Sequence, residues 1–204
     1  MAISLLVPLA MQVEQRRISD TERSLNEVRD AIMGFAAVNG RLPRPATSST
    51  NGVERGTCTS EANCTGFVPW TTLGITQLDA YGKLIRYSVT PAFADAAFST
   101  TTTGTKTIQT RNAAGALVTQ ASSIPAVIWS VGDKNHGTNM YGNAVADGSG
   151  TNTDEDTNNG ATTTFVYRIR TDNVAATGGE YDDIVSWLAS TVLISRTIAA
   201  GKLP

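Results

Sequence analysis

The chain has little of what catalytic sites are usually built from. It contains one histidine, His136, and two cysteines, and only 17% of its 204 residues are charged. Because there is no second histidine and no G-x-S-x-G or phosphate-loop pattern, serine hydrolase and nucleotide-binding functions have no support. The formal net charge of −2 offers no basic excess of the kind that holds nucleic acid. We therefore expect no enzymatic activity and no nucleic-acid partner, and we expect His136 to be an exposed loop residue.

A long hydrophobic run is also missing. Residues 1–11 are apolar apart from Ser4, but this stretch is too short to cross a bilayer, which takes about 20 residues. It has no basic leading region and no Ala-x-Ala site, so it is a poor secretory signal. We interpret residues 1–11 as the last part of a hydrophobic helix whose first half is absent.

A single long helix is the clearest element that the sequence predicts. No glycine or proline interrupts residues 9–33, and Gly40 provides a helix stop. Apolar positions recur at steps of three and four, which indicates one buried face. These positions are Ile18, Thr21, Leu25, Val28, Ile32 and Phe35. We predict a helix from near residue 3 to near Asn39, kinked at Pro8. A coiled-coil or bundle helix is the alternative, although the chain has no second segment of comparable length to partner it.

The rest of the chain, residues 40–204, has the pattern of a β-rich head. β-branched and aromatic runs bounded by turn residues predict several strands. These runs are residues 84–89, 105–110, 116–120, 126–131 and 163–170, of which 126–131 is apolar enough to be central. Residues 132–160 are predicted to be a loop. The tail is predicted to be a short helix that starts after Asp182 and Asp183 and stops at Gly201. The fold class is therefore α+β, with the long helix packed on an antiparallel sheet and Ile18, Leu25, Val28, Ile32 and Phe35 in the contact.

The two cysteines, Cys58 and Cys64, lie six residues apart in a polar stretch. They could be unrelated thiols. A zinc site is disfavoured because zinc wants four ligands and His136 is distant in sequence. A local disulfide is the better interpretation. It would stabilise the fold by about 2 kcal/mol and would indicate an oxidising compartment.

The order of these features resembles a known family. Residues 5–45, with Pro8 in the apolar stretch and a polar switch at 12–17, resemble the second half of the long helix of type IV pilins and type II secretion pseudopilins. Residues 79–87 are similar to the start of the pilin sheet, and residues 181–187 resemble the end of one bacterial pilin-like subgroup. The resemblance implies a filament subunit that packs helix to helix with other pilin or pseudopilin subunits.

The family's leader, a glycine before an aromatic residue with a glutamate five residues into the mature helix, is absent here. We expect that the missing apolar half would anchor the subunit in the bacterial inner membrane. The protein would then face the periplasm and assemble into a periplasmic or extracellular filament. The alternative function is a periplasmic or surface binding module held on a helical stalk.

A calcium site is a further expectation. Residues 147–160 are rich in carboxylate and amide oxygens, which are the ligands of calcium. Major pseudopilins bind calcium in a loop of the C-terminal sheet region. The loop does not have EF-hand spacing, and a solvated, mobile loop is the alternative. If calcium binds here, we expect Asp154, Glu155 and Asp156 to be its ligands.

Overall fold

The computed structural model describes residues 3–203, with side chains from Leu9 onward, and its main feature is one long helix. This helix, α1 (Ile3–Asn39), spans 37 residues and continues through Pro8 without a break. It ends at Gly40, which adopts a φ of 70° and donates its N–H to the Ala36 carbonyl at 2.8 Å. A left-handed residue at this position is the usual helix stop. Both predicted ends of α1 are confirmed.

Within the residues that the structure describes, the head combines seven short strands with four further helices. In chain order these are β1 (Thr65–Phe67), α2 (Trp70–Leu73), β2 (Arg86–Val89), α3 (Pro91–Ala94), β3 (Lys106–Arg111), β4 (Leu117–Ile124), β5 (Ala126–Ser130), α4 (Thr153–Gly160), β6 (Thr164–Val166), β7 (Ile184–Trp187) and α5 (Ser190–Ala199). The predicted α+β class with a long N-terminal helix and an antiparallel sheet is confirmed.

The strands form two sheets. The first is antiparallel with the order β1-β2-β5-β7, so β5 is an internal strand, as its apolar sequence predicts. The second has the order β4-β3-β6, and in it β3 pairs with β6 in parallel. Sequence reasoning did not predict this second, mixed sheet.

Strand β5 separates two hydrophobic cores because its side chains alternate between the faces of the sheet. Ala126 and Ile128 join the core shared with α1 and α5. Val127 and Trp129 join the core shared with the second sheet, where Trp129 packs on Phe165 with ring centroids 5.0 Å apart. All five residues of β5 are buried, which explains why its first four residues are apolar.

Two local predictions were wrong. Residues 184–187 form strand β7 rather than the start of the last helix, because they pair with β5 at the edge of the first sheet. Helix α5 therefore begins at Ser190, and Gly201, with a φ of 69°, follows its end as predicted. Residues 132–160 are not a continuous loop, because α4 occupies their last eight residues.

A disulfide joins Cys58 and Cys64, whose Cα atoms are 5.0 Å apart. Both residues are fully buried in the core that α1 shares with the first sheet. The bond therefore closes its short loop directly against the packed part of the molecule. Within residues 3–203, none of the helices combines the length and the hydropathy needed for a membrane span.

Candidate functional site

Helix α1 has two halves with opposite surroundings, and we name them by their residues. In the packed half, residues 18–39, the fully or nearly fully buried side chains include Leu25, Val28 and Ile32. Ile18 and Phe35 are half-buried, and Met33 and Ala36 are buried positions that the sequence stripe did not include. The packed half is therefore part of the head's hydrophobic core.

In the exposed half, residues 9–17, the head leaves apolar side chains uncovered. Leu9 is 57% exposed, Met11 65% and Val13 47%. Leu9, Val13 and Arg17 line one side of a groove of about 460 Å³, whose other side includes Ala80. Leu9 and Val13 lie side by side in this groove, and contiguous exposed apolar patches mark interaction sites.

The exposed half is tied to the head by polar contacts rather than by apolar packing. Glu14 accepts a hydrogen bond from the Tyr81 hydroxyl at 2.8 Å and forms an ion pair with Arg170. Arg17 lies 3.7 Å from the carboxylate of Asp133. Burial, followed by the hydrogen bond to Glu14, raises the pKa of Tyr81. This hydroxyl therefore stays protonated and able to donate.

Helix α4 separates the three predicted calcium ligands and gives each a different environment. Asp154 accepts two hydrogen bonds from Arg111, at 2.8 and 2.7 Å, and lies 3.2 Å from the guanidinium of Arg168. Its charge is thus already matched by two arginines, so it is a structural ion pair. Asp154, Glu155 and Asp156 do not converge on one point, because consecutive residues of a helix point in different directions.

Glu155 is part of a buried carboxylate cluster with Asp182 and Asp183. One oxygen atom from each of the three lies within 4.8 Å of the others, and all three side chains are buried. Glu155 Oε1 accepts the Asp182 backbone N–H at 2.6 Å. Its Oε2 accepts the side-chain amides of Asn135 and Asn152, at 3.1 and 3.0 Å.

The two aspartates of this cluster are held by other parts of the fold. Asp182 Oδ2 accepts the backbone N–H groups of Asp133 and Lys134, at 3.1 and 3.2 Å. Asp183 Oδ2 accepts from the Asn158 side chain at 2.8 Å. The Oδ1 atom of Asp182 is buried without a hydrogen-bond partner. These contacts fix the oxygens in place and leave one of them free to bind a further group.

The cluster carries more negative charge than its surroundings offset. Burial, with the charge of Glu155 as the next cause, raises the pKa of Asp182 to about 6. Burial also raises the pKa of Asp183 well above its usual value. The Lys83 ammonium lies near both aspartates but donates to the carbonyls of Lys134 and Asn135, at 3.2 and 3.0 Å. A bound divalent cation would stabilise the ionised carboxylates against both their burial, which is the larger cause of the raised pKa values, and the charge of Glu155.

A second cluster contains Asp156 with His136 and Asp147. His136 Nε2 lies 2.9 Å from Asp156 Oδ1 and 3.8 Å from Asp147 Oδ2. The His136 side chain is only 11% exposed, so the expectation of an exposed loop histidine was wrong. Asp156 closes over the imidazole from the first turn of α4.

Sequence reasoning missed Asp182, Asp183 and Asp147 as members of these clusters. Asp182 and Asp183 were interpreted as the start of a helix, whereas they lead into β7. Two adjacent carboxylates directly before an apolar strand were the available signal, because one of them must enter the buried interior. No local pattern connects Glu155 with residues 27 positions later in the chain.

The chain matches no family model, no curated protein and no solved structure.

Proposed function

We propose that this protein is a structural subunit of a bacterial filament, either a type IV pilus or a type II secretion pseudopilus. The exposed half of α1 carries this proposal. A helix of 37 residues has its C-terminal half in the core of a β-rich head and leaves apolar residues of its N-terminal half uncovered. In a filament these residues pack against the helices of neighbouring subunits, and the head is displayed on the outside.

The free energy available from burying the exposed apolar side chains supports this assignment. An exposed leucine, methionine or valine that becomes buried contributes ~1.5–3 kcal/mol. Leu9 and Val13 lie one turn apart on the same face of α1, and Met11 lies on the opposite face. The polar contacts of Glu14 and Arg17 hold this segment in a fixed direction relative to the head. Such preorganisation lowers the entropy that assembly costs.

The proposal is tested by cross-linking in cells. The described residues contain no free cysteine, so Val13→Cys introduces one reactive thiol in the exposed half. When the complete gene product is expressed beside a filament assembly system, we expect oxidation to join neighbouring subunits into a disulfide-linked dimer, the largest product that one thiol per subunit allows. Val174→Cys, at an exposed position on the head, is the control and should give less dimer. Only monomers from both variants would contradict a filament role.

The gene sequence provides a second test. A prepilin peptidase motif followed by about 20 apolar residues, encoded upstream of residue 1, would support the filament proposal. An ordinary signal peptide in that place would instead favour a binding module on a helical stalk.

Exposed apolar side chains on the head favour that alternative as well, since Met140 is 51% exposed, Tyr141 74% and Ile169 90%. Tyr and Met are enriched in recognition surfaces.

We also propose that the buried carboxylate cluster binds calcium and that calcium stabilises the head. Three carboxylates on two segments supply oxygen ligands, and calcium accepts six to eight of these. The unpaired Oδ1 of Asp182 is the observation that favours a cation here over a purely protonated cluster. Asp182 and Asp183 replace Asp154 and Asp156 as the partners of Glu155.

A calcium titration followed by melting temperature tests this second proposal. We expect millimolar calcium to raise the melting temperature, because a ligand that binds only the folded state stabilises it. Glu155→Gln and Asp183→Asn should each abolish most of that rise. Glu27→Gln, an exposed carboxylate on α1, is the matched control and should keep it. The proposal would be contradicted if calcium left the melting temperature of the wild-type protein unchanged.

A further inference from the structure

The second carboxylate cluster differs from the first in one ligand, and that ligand is an imidazole. His136, Asp147 and Asp156 come from two separate segments, and one donor atom from each lies within 4.8 Å of the others. The two measured separations from His136 Nε2 are 2.9 Å to Asp156 and 3.8 Å to Asp147. Ligands of a tetrahedral zinc ion with bonds of about 2.0–2.1 Å are separated by about 3.3 Å. The two observed distances, 2.9 and 3.8 Å, lie on either side of this value.

We propose that His136, Asp147 and Asp156 bind one late first-row divalent metal ion, for which zinc is the probe. The ion would bind Nε2 of His136 and one oxygen of each aspartate, with a fourth position left for water. This site is separate from the calcium proposal and does not depend on the filament role.

The donor set decides between metals. Imidazole is a preferred ligand of zinc, copper and nickel, whereas calcium and magnesium take oxygen ligands. The buried carboxylate cluster contains only oxygen donors, so the two clusters should select different ions. Within residues 3–203, neither Asp147 nor Asp156 forms an ion pair with a lysine or arginine. Their charge is therefore available to a cation, unlike that of Asp154.

The ligands are held in place before any ion arrives. Asp147 Oδ1 accepts the Ser149 N–H at 3.0 Å and the Asn152 side chain at 3.2 Å, which leaves Oδ2 facing His136. Asn135 accepts the Gly148 N–H at 3.1 Å and so binds the histidine's loop to the segment that carries Asp147. Hydrogen bonds of this kind, made to the ligands by groups that do not bind the metal, orient the ligands and raise their affinity for the metal.

Calorimetric titration of the full chain with zinc in a weakly coordinating buffer tests the site. We expect one equivalent to bind and the affinity to fall at least tenfold in His136→Asn. His136 has a φ of 57°, and asparagine tolerates this left-handed conformation, so the substitution removes the imidazole without straining the backbone. Asp156→Asn should weaken zinc binding to a similar degree. Millimolar calcium should not displace the zinc.

Asp172→Asn is the matched control, because Asp172 is an exposed aspartate paired with Lys134 outside the cluster. It should retain wild-type zinc affinity. Equal affinities in the wild type, His136→Asn and Asp156→Asn would overturn the proposal, and so would an equal loss in Asp172→Asn. Far-ultraviolet circular dichroism confirms that each variant is folded, and Asp156→Asn decides the result if His136→Asn is not.

Discussion

The two halves of α1 share one secondary structure and differ in what surrounds them. The packed half supplies Leu25, Val28 and Ile32 to the hydrophobic core. In the exposed half, Leu9, Met11 and Val13 are uncovered, and polar groups such as Glu14 hold the segment to the head. Helix formation therefore does not require burial along its whole length, because the backbone hydrogen bonds of α1 are local.

This difference assigns separate tasks to the two halves. Removing apolar area from the packed half should destabilise the head, since burial of that area is the main favourable term of folding. Changing the exposed half should leave folding unaltered and alter association instead. Substitutions in each half therefore test which residues contribute to folding and which contribute to association.

The largest expected effect comes from the same substitution made once in each half. Leu25→Ala should lower the free energy of unfolding by ~2–5 kcal/mol, because it leaves a cavity in a well-packed core. Leu9→Ala should change it by no more than ~0.5 kcal/mol, as is usual for an exposed position. Urea denaturation of both variants measures the comparison. Similar losses at the two positions would erase the distinction between the halves.

Removal of the disulfide should have the next largest effect, because Cys58 and Cys64 pack in the same core as the packed half. We expect the double variant Cys58→Ala, Cys64→Ala to lose ~2 kcal/mol of unfolding free energy. Denaturation of the wild type under reducing conditions is the control and should show a comparable loss. A variant as stable as the oxidised wild type would show that the bond adds nothing to this core.

Loss of the Glu14 carboxylate should have a smaller effect, confined to the exposed half. Glu14→Gln weakens the contacts with Arg170 and Tyr81 at a half-buried position, which costs ~0.5–1 kcal/mol. Amide hydrogen exchange should become faster in residues 9–17 and stay unchanged in residues 25–36. Glu22→Gln, at an exposed position without an ion pair among the described residues, should leave both regions as they are.

Deletion of residues 1–11 should have the smallest effect on the head. Leu9 and Met11 are more than half exposed, so their loss removes little buried area. We expect the melting temperature of the head to be nearly unchanged in differential scanning calorimetry. A large drop would mean that this stretch belongs to the core and that the boundary between the halves is misplaced.

Local elements were predictable because their signals lie within a few turns or residues. The alternation of three and four residues from Ile18 to Phe35 predicted the buried face of α1, and Gly40 predicted its end. The apolar run at 126–131 predicted β5 and its internal position. The same local reasoning failed at residues 182–187, where an acidic pair before apolar residues is compatible with either a helix or a strand. Residues 184–187 form a strand because they pair with β5.

By itself the sequence determined the long helix, the α+β class and the proximity of the two cysteines, because each depends on residues close together in the chain. Only the tertiary structure decided which carboxylates meet. It brings Glu155 to Asp182 and Asp183 in a buried cluster, and it brings Asp156 to His136. These contacts join segments about twenty to thirty residues apart, and no local pattern encodes which ones meet. The packing of α4 against β6 and the entry into β7 place them. The cluster is tolerated there because amide groups hydrogen-bond its oxygens and because burial raises the pKa of Asp182 and Asp183 toward the neutral form.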